Sequence, residues 1–320
     1  MRSIAGIRPP SWPFAFPTAA GVRDLLAAAT YDGHTSMESI APLNPRSLLF
    51  TLYGDYVHPA GEEEIRVNAL VKLAEVLGVS GTSLRSALSR MTREGWLVSR
   101  RQGGRPRYGL SPRGFQLIEE GTRRIYGHHR ATWDGRWLVV SYSLPEHRRG
   151  ERDRLREGLS FLGLGSLGNG LYVSPHDLRA DVGQLARRCG ALESVTVFRA
   201  ALDWPADPQG IVRRAWDLHA VATSYQDFLR RLAPILRQTR RVGDEEAFRS
   251  RFLLTHEYRR FLFGDPELPD QLLPDGWVGA AAHREFLEAN RRLRRQADRF
   301  YRSIAFSPTI ADNSDTNTRG

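Results

Sequence analysis

The chain has 320 residues, enough for two or three domains, and its 41% of hydrophobic residues excludes a mostly disordered protein. The single cysteine, Cys189, excludes an intrachain disulfide and a thiolate zinc cluster, and the sequence has neither an apolar run of membrane-spanning length nor the core of a signal peptide. We therefore expect a cytoplasmic protein without a membrane partner. The net charge of +10 favours a polyanionic partner such as nucleic acid, although a genome rich in G and C could also produce a chain whose only lysine is Lys72.

Three helices are predicted after residue 43. An asparagine and a proline open the first over residues 44–57, where apolar residues recur at helical spacing. The second covers residues 67–77 and stops at Gly78, a residue type common just after helix C-termini. Ser80 is the N-cap of the third, which covers 80–94. Two helices joined by so short a glycine turn are typical of a helix-turn-helix.

The third predicted helix has an apolar face and a polar, basic face. The apolar residues recur at i, i+3, i+4 and i+7 and are Leu84, Ala87, Leu88 and Met91. On the opposite face, short hydroxyl side chains would let the helix approach the floor of the major groove, and arginines could reach guanine edges. The residues predicted to read bases are Thr82, Arg85, Ser86, Ser89 and Arg90.

Two strands follow, over residues 96–101 and 107–110, and the basic segment 102–106 joins them as a hairpin. Residues 85–107 contain seven arginines and one acidic residue, so more than half of the net charge lies in this stretch. With a closing helix over 111–126, the pattern predicts a winged helix-turn-helix domain. The arginines predicted to contact the DNA backbone are Arg46, Arg93, Arg101, Arg105 and Arg107.

The rest of the sequence predicts two further domains, so the fold class is α+β multidomain. Residues 133–202 follow the order βαββαβ, which is typical of a ferredoxin-like domain. Helical periodicity then dominates, over residues 211–236, 245–263 and 280–301. The predicted domains are 44–128 (winged helix), 129–205 (ferredoxin-like) and 206–306 (helical), with a poorly ordered extension over 1–43 and a disordered tail over 307–320.

Motifs that resemble catalytic or metal-binding sites are incomplete. The glycines at 163–168 match G-x-G-x-x-G but follow a predicted helix and lead into a strand, the reverse of a dinucleotide site. His256 and Glu257 begin an H-E-x-x-H motif, but Arg260 stands where the second histidine is needed. We therefore predict no catalytic residue, no metal site and no cofactor.

Six segments carry a resemblance to a known family. They are PRSLLFTLYGD (45–55), SLRSALSRMTREGWL (83–97), WLVVSYSLPE (137–146), HEYRR (256–260), DPELP (265–269) and LPDGW (273–277). In this order they resemble the PaaX family of bacterial transcriptional repressors, which control phenylacetic acid degradation. The resemblance covers roughly residues 44–301. It implies a Cas2-like middle domain, a helical C-terminal domain, a homodimer on a palindromic double-stranded DNA operator, and release by an aryl-CoA thioester such as phenylacetyl-CoA.

An acyl-CoA effector needs cations for its phosphates and an apolar pocket for its acyl group. The candidate effector-binding residues are Trp204, His256, Tyr258, Arg259, Arg260 and Trp277. Alternatively, the helix that carries residues 256–260 is a packed surface at a domain interface.

Two other functions remain open. One is a nucleic-acid-processing enzyme that uses the Cas2-like domain, and the other is a repressor without a small-molecule effector. Cas2-type nucleases place a metal-binding aspartate at the end of the first strand, where this chain has Ser141 followed by Tyr142. This departure argues against metal-dependent cleavage.

Overall fold

The computed structural model describes residues 43–127, 132–204, 207–237 and 242–307. The predicted extension over 1–43 and tail over 307–320 lie outside the described residues, apart from Leu43 and Ser307. The described chain divides into two compact units, each built from discontinuous segments. We call them the hairpin unit (43–123, 232–257 and 286–307) and the sheet unit (124–231 and 258–285). The domain boundaries given by the sequence stay predictions.

The helices in chain order are α1 (Pro45–Leu52), α2 (Val67–Val76), α3 (Gly81–Arg93), α4 (Pro112–Tyr126), α5 (Arg149–Phe161), α6 (Arg179–Arg188), α7 (Pro208–Ala215), α8 (Leu218–Arg237), α9 (Asp244–Tyr258), α10 (Phe261–Gly264) and α11 (Val278–Ala305). The strands are β1 (Glu64–Arg66), β2 (Leu97–Gln102), β3 (Arg105–Leu110), β4 (Arg136–Tyr142), β5 (Gly165–Gly168), β6 (Leu171–Ser174) and β7 (Val195–Ala201). A π-helical turn, Tyr53–Val57, continues α1. Among the described residues no helix is long and apolar enough to cross a bilayer.

Helices α1 and α3 of the hairpin unit begin at side-chain caps. The Asn44 Oδ1 atom accepts hydrogen bonds from the backbone N–H groups of Arg46 (3.0 Å) and Ser47 (3.4 Å) at the start of α1. Ser80 Oγ accepts from the Ser83 N–H at 3.2 Å and caps α3. The predicted cap residues of these helices are therefore confirmed.

The sheet of the hairpin unit has the antiparallel order β1-β3-β2. Gly103 and Gly104 form the whole turn between β2 and β3, with φ angles of 59° and 76°. Two left-handed residues match the twist of the flanking strands, so this turn favours glycine. The predicted hairpin tip over 102–106 was too long: the strands continue to Gln102 and Arg105, which pair with each other. Strand β1 was not predicted.

Helices distant in sequence share the core of the hairpin unit. Tyr56 follows α1, and its ring lies 5.0 Å from Phe248 of α9 and 5.5 Å from Tyr301 of α11, between ring centroids. These three side chains are buried together with leucines of α1, α2 and α3. Burying a large apolar side chain contributes about 1.5–3 kcal/mol, so α9 and α11 stabilise the N-terminal helices.

The sheet unit contains the predicted βαββαβ arrangement, with four antiparallel strands in the order β5-β6-β4-β7. Leu138 and Val140 of β4 point to one face, where they pack with residues of α5 and α6 such as Leu155. Trp137 points to the other face and packs with Val212 of α7. The alternation along β4 therefore places an apolar layer on each side of the sheet.

Two predicted helices are interrupted. The helix expected over 211–236 stops at Ala215, and α8 begins after Asp217, whose Oδ1 accepts the Ala220 N–H at 2.9 Å. The intervening Trp216 donates from Nε1 to the Gly163 carbonyl at 3.1 Å. The helix expected over 245–263 stops at Tyr258 and resumes as α10. The start of α8 is explained by Asp217, a residue type that favours N-caps.

Candidate nucleic-acid interface

Helix α3 presents a polar and basic face to solvent. All five predicted base-reading residues are exposed, as is Arg93 in the last turn, and the four residues of the predicted apolar face are buried. The buried Gly81 faces α2, where a β-carbon would lie 2.9 Å from Val71 Cγ1, so glycine permits a close approach of the two helices. Helix α3 is thus held on one side by the core and is open on the other.

Five arginines of α3 and the hairpin have no ion-pair partner within the part of the chain that the structure describes. They are Arg85, Arg90, Arg93, Arg101 and Arg105, and all five are exposed. Their guanidinium groups keep their donors for a ligand. Such donors match phosphate oxygens and guanine edges.

The other two arginines predicted to contact the DNA backbone already pair within the protein. Arg46 Nη1 lies 2.9 Å from Glu94 Oε2. Arg107 Nη2 donates to the Glu64 carbonyl at 2.7 Å, and its Nε lies 3.9 Å from the Glu64 carboxylate. Glu64 also pairs with Arg100 Nε at 3.3 Å. Carboxylates therefore offset the charge at the base of the hairpin, while Arg101 and Arg105 near its tip pair with no carboxylate of the described ranges.

The sheet unit has several arginines that pair with neighbouring carboxylates instead. The partners are Arg152 with Glu146 (2.9 Å), Arg179 with Asp177 (2.6 Å) and Arg199 with Asp134 (2.7 Å). Hydrogen bonds from these arginines hold the pKa values of the three carboxyl groups below their ordinary values. In the described residues, carboxylates thus offset these three arginines of the sheet unit, whereas the arginines of α3 and of the hairpin tip form an exposed cationic surface.

Three of the four aspartates that could serve a nuclease in the middle domain pair with arginines, and the fourth, Asp181, is buried in α6. Asp134 and Asp177 pair as described, and Asp153 of α5 lies 3.7 Å from Arg149. In the described ranges, no three histidine, cysteine or acidic side chains come close enough together to hold a metal ion.

The candidate effector residues are divided between the two units. Trp204 is 87% exposed. His256 belongs to the hairpin unit, where its Nδ1 lies 3.1 Å from Thr51 Oγ1. Tyr258 belongs to the sheet unit, is buried, and shares a hydrogen bond of 2.9 Å with His283 Nδ1. Two residues apart on α9, these side chains point in different directions.

The remaining effector candidates lie in the sheet unit near one aromatic cluster. Arg259 and Arg260 are half-buried after the end of α9, and the Arg260 guanidinium lies 5.7 Å from the Phe261 ring. Phe261 stacks on Tyr225 at 3.9 Å, and Tyr225 contacts Trp277 at 6.3 Å, between ring centroids. The structure thus connects Arg260 to Trp277 through two aromatic rings.

Sequence reasoning missed one cation close to α3. Arg113, in the first turn of α4, stacks its guanidinium 3.7 Å from the centre of the Trp96 ring, and its Nη1 donates to the Glu94 carbonyl at 3.4 Å. The sequence signal that could have identified Arg113 is the Ser-Pro-Arg start of a helix directly after the predicted hairpin.

Comparison with known proteins gives consistent matches along the chain. Three family descriptions match in order: "PaaX-like protein" over residues 44–114, "PaaX protein central Cas2-like domain" over 130–212, and "PaaX-like protein C-terminal domain" over 216–303. The transcriptional repressor PaaX of Escherichia coli (strain K12) is 32% identical over 260 residues, covering 79% of this chain and 81% of that protein. A solved structure of an uncharacterized protein from Mycobacterium tuberculosis superposes with a TM-score of 0.53 at 22% identity, covering 80% of this chain and 98% of that one, and shows a shared fold.

The topology and these matches define an α+β protein with a Cas2-like central domain and a helical C-terminal region. The chain belongs to the PaaX family, which confirms the resemblance found in the sequence.

Proposed function

We propose that this protein is a transcriptional repressor that binds double-stranded DNA through a winged helix-turn-helix, with α3 as the recognition helix and the β2–β3 hairpin as the wing. The observation that carries the proposal is the exposed face of α3, where Arg85 and Arg90 flank short hydroxyl side chains and have no ion-pair partner among the described residues. The relation to a protein named as a transcriptional repressor supports it.

In this proposal the two groups of arginines act differently. Arg85 and Arg90 donate to base edges in the major groove, and Thr82, Ser86 and Ser89 let the helix lie close to the groove floor. Arg93, Arg101 and Arg105 contact phosphates and set the register of the protein on the duplex. Arg46 and Arg107 lie at the edge of the same surface, where carboxylates already hold them, so that they contribute less to phosphate binding than the other three.

A repressor of this kind acts in the cytoplasm as a homodimer on a palindromic operator. Two copies related by a twofold axis would place two α3 helices in successive major grooves, about 34 Å apart. The operator would then consist of two inverted half-sites separated by one helical turn. We propose control of an operon for the catabolism of an aromatic acid, of the phenylacetate type.

We further propose that an aryl-CoA thioester, such as phenylacetyl-CoA, releases the protein from DNA. Arg259 and Arg260 offer cations for the phosphates of such an effector, and Tyr258, Trp204 and Trp277 offer aromatic surface for its acyl group. His256 remains a candidate through its position on α9. A 100-fold loss of DNA affinity on effector binding requires a coupling free energy of about 2.7 kcal/mol.

Fluorescence anisotropy with the promoter region of the protein's own gene tests the proposal. We expect wild-type protein to bind this DNA more tightly than a random duplex, and an aryl-CoA thioester to weaken that binding while free CoA does not. Arg85→Ala should cost about 1–3 kcal/mol on the operator and reduce the preference for it. Equal losses of affinity on operator and random DNA would contradict base reading by Arg85. If no CoA thioester of a panel changes DNA binding, the protein is a repressor without this effector.

The protein is proposed to have no catalytic activity. Asp134, Asp153 and Asp177 engage arginines rather than converging on one another. Incubation with DNA or RNA and Mg²⁺ or Mn²⁺ checks this point, and cleavage above the level of an Asp134→Asn, Asp177→Asn control would refute it.

A further inference from the structure

A second cationic site lies beside the C-terminal end of α3. Trp96 is 4% exposed and packs edge-on against Phe50, with ring centroids 5.8 Å apart. The guanidinium carbons of Arg113 and Arg46 lie 3.7 Å and 5.7 Å from the centre of the Trp96 ring. Two arginines from different helices therefore meet at one buried tryptophan.

Glu94 contacts both of these arginines. Glu94 pairs with Arg46 at 2.9 Å, and its backbone carbonyl accepts from Arg113 Nη1 at 3.4 Å. Burial and then the charge of Arg46 lower the pKa of Arg113, and Glu94 offsets this only in part. The three side chains Arg46, Arg113 and Glu94 carry a formal charge of +1, and the exposed Arg93 precedes Glu94 directly. A second anion beside the two guanidinium groups would relieve their repulsion.

The backbone fixes Arg113 in this position. The Ser111 N–H donates to the Trp96 carbonyl at 3.0 Å, and the Ser111 hydroxyl donates to the Gly95 carbonyl at 2.7 Å. A β-carbon at Gly114 would lie 2.3 Å from the Trp96 carbonyl oxygen, so glycine is needed for so close an approach. The first turn of α4 is therefore held against the residues that follow α3, which preorganises the position of Arg113 beside Trp96.

We propose that Arg46 and Arg113, supported by Trp96, bind a backbone phosphate of the DNA that α3 contacts, with Glu94 occupying the site in the absence of DNA. The inference deepens the proposed function and rests on it. The planar guanidinium groups suit a phosphodiester, whose oxygens accept from two donors at once. The contact carries no base preference and holds α3 at a fixed depth in the groove.

Three variants test the site by the dependence of the DNA dissociation constant on salt. Arg113→Gln should make the slope of log K against log salt concentration about 0.9 shallower and weaken binding equally on operator and random DNA. Arg113→Lys keeps the charge and should retain the slope. Arg123→Gln, an exposed position on the same helix about 15 Å further along, is the matched control and should leave the slope unchanged.

The informative variant is Glu94→Gln, because misfolding cannot mimic its expected effect. Removing the resident carboxylate should tighten binding to both DNAs several-fold and steepen the salt slope. Unchanged or weaker binding by Glu94→Gln, or an unchanged slope in a folded Arg113→Gln variant, would overturn the site. If wild type binds DNA and Arg85→Ala impairs it while these variants have no effect, only this inference fails; a wild-type chain that binds no DNA overturns both proposals.

Titration of DNA-free protein with inorganic phosphate distinguishes the source of the phosphate. A site made for DNA should bind free phosphate only in the millimolar range, because a single phosphate lacks the contacts of the duplex. If wild-type protein saturates at micromolar phosphate and Arg113→Gln abolishes this binding, the site is one for free phosphate and the assignment to DNA is refuted.

Discussion

Two arginines of strand β3 offer a matched comparison of DNA contact and internal pairing. Arg105 and Arg107 are two residues apart, so their side chains leave the same face of the strand. Arg105 is exposed without an ion-pair partner among the described residues, and Arg107 is half-buried and bound to Glu64. We expect Arg105→Gln to weaken DNA binding and Arg107→Gln to destabilise the fold.

The magnitude follows from counterion release. Each phosphate contact contributes about 0.9 to the slope of log K against log salt concentration. One contact therefore accounts for about a 3.5-fold fall in affinity between 50 and 200 mM salt, and a variant without that contact should lack this part of the fall. Arg105→Gln should show this shallower slope on operator and random DNA, measured by anisotropy, with an unchanged urea midpoint.

Arg107→Gln should change the slope of log K against log salt concentration only slightly. It should lower the free energy of unfolding by about 1 kcal/mol, because it removes a hydrogen bond to the Glu64 carbonyl. Equal changes in salt slope for the two variants would refute the distinction between free and paired arginines.

Two further predictions concern stability. Arg251 is 5% exposed, lies 4.8 Å from the Tyr56 ring and donates to Asn290 Oδ1 at 3.2 Å. Arg251→Ala should therefore lower the free energy of unfolding by about 1.5–3 kcal/mol, and a loss below about 1 kcal/mol in urea titration would contradict its role in the core. Burial lowers the pKa of His176 below its ordinary value near 6.5, so the unfolded chain takes up more protons and the stability conferred by neutral His176 falls as the pH drops below about 6.5. His176→Gln should flatten this part of the stability profile between pH 7 and pH 5, and an unchanged profile would exclude the contribution.

Local patterns predicted the parts of the fold that depend on neighbouring residues. The apolar spacing from Leu84 to Met91 identified the buried face of α3, because a helix with one buried face repeats every three to four residues. The alternation along β4 likewise predicted a strand, and its two faces pack as expected. The helix break at Asp217 was not predicted, although the residue type, one that caps helices, marked it in the sequence.

Features that depend on distant residues could not be predicted in the same way. Strand β1 has three residues and forms because β3 pairs with it, and Gly109 permits the approach, since a β-carbon there would lie 2.5 Å from the Glu63 carbonyl oxygen. The pairing of Arg107 with Glu64 joins residues 43 positions apart. Charge counting along the chain therefore located the basic surface but could not separate the free arginines from the paired ones.

The shared core of the hairpin unit limits how this regulator can be rebuilt by recombination. A crossover that transferred only residues 45–126 to another protein would leave Tyr56 without the rings of Phe248 and Tyr301, which lie more than 190 positions further along the chain. The recipient would have to supply two helices of matching shape. New operator preferences should therefore arise in this chain by exchange of single residues on the exposed face of α3, rather than by exchange of a whole DNA-reading segment.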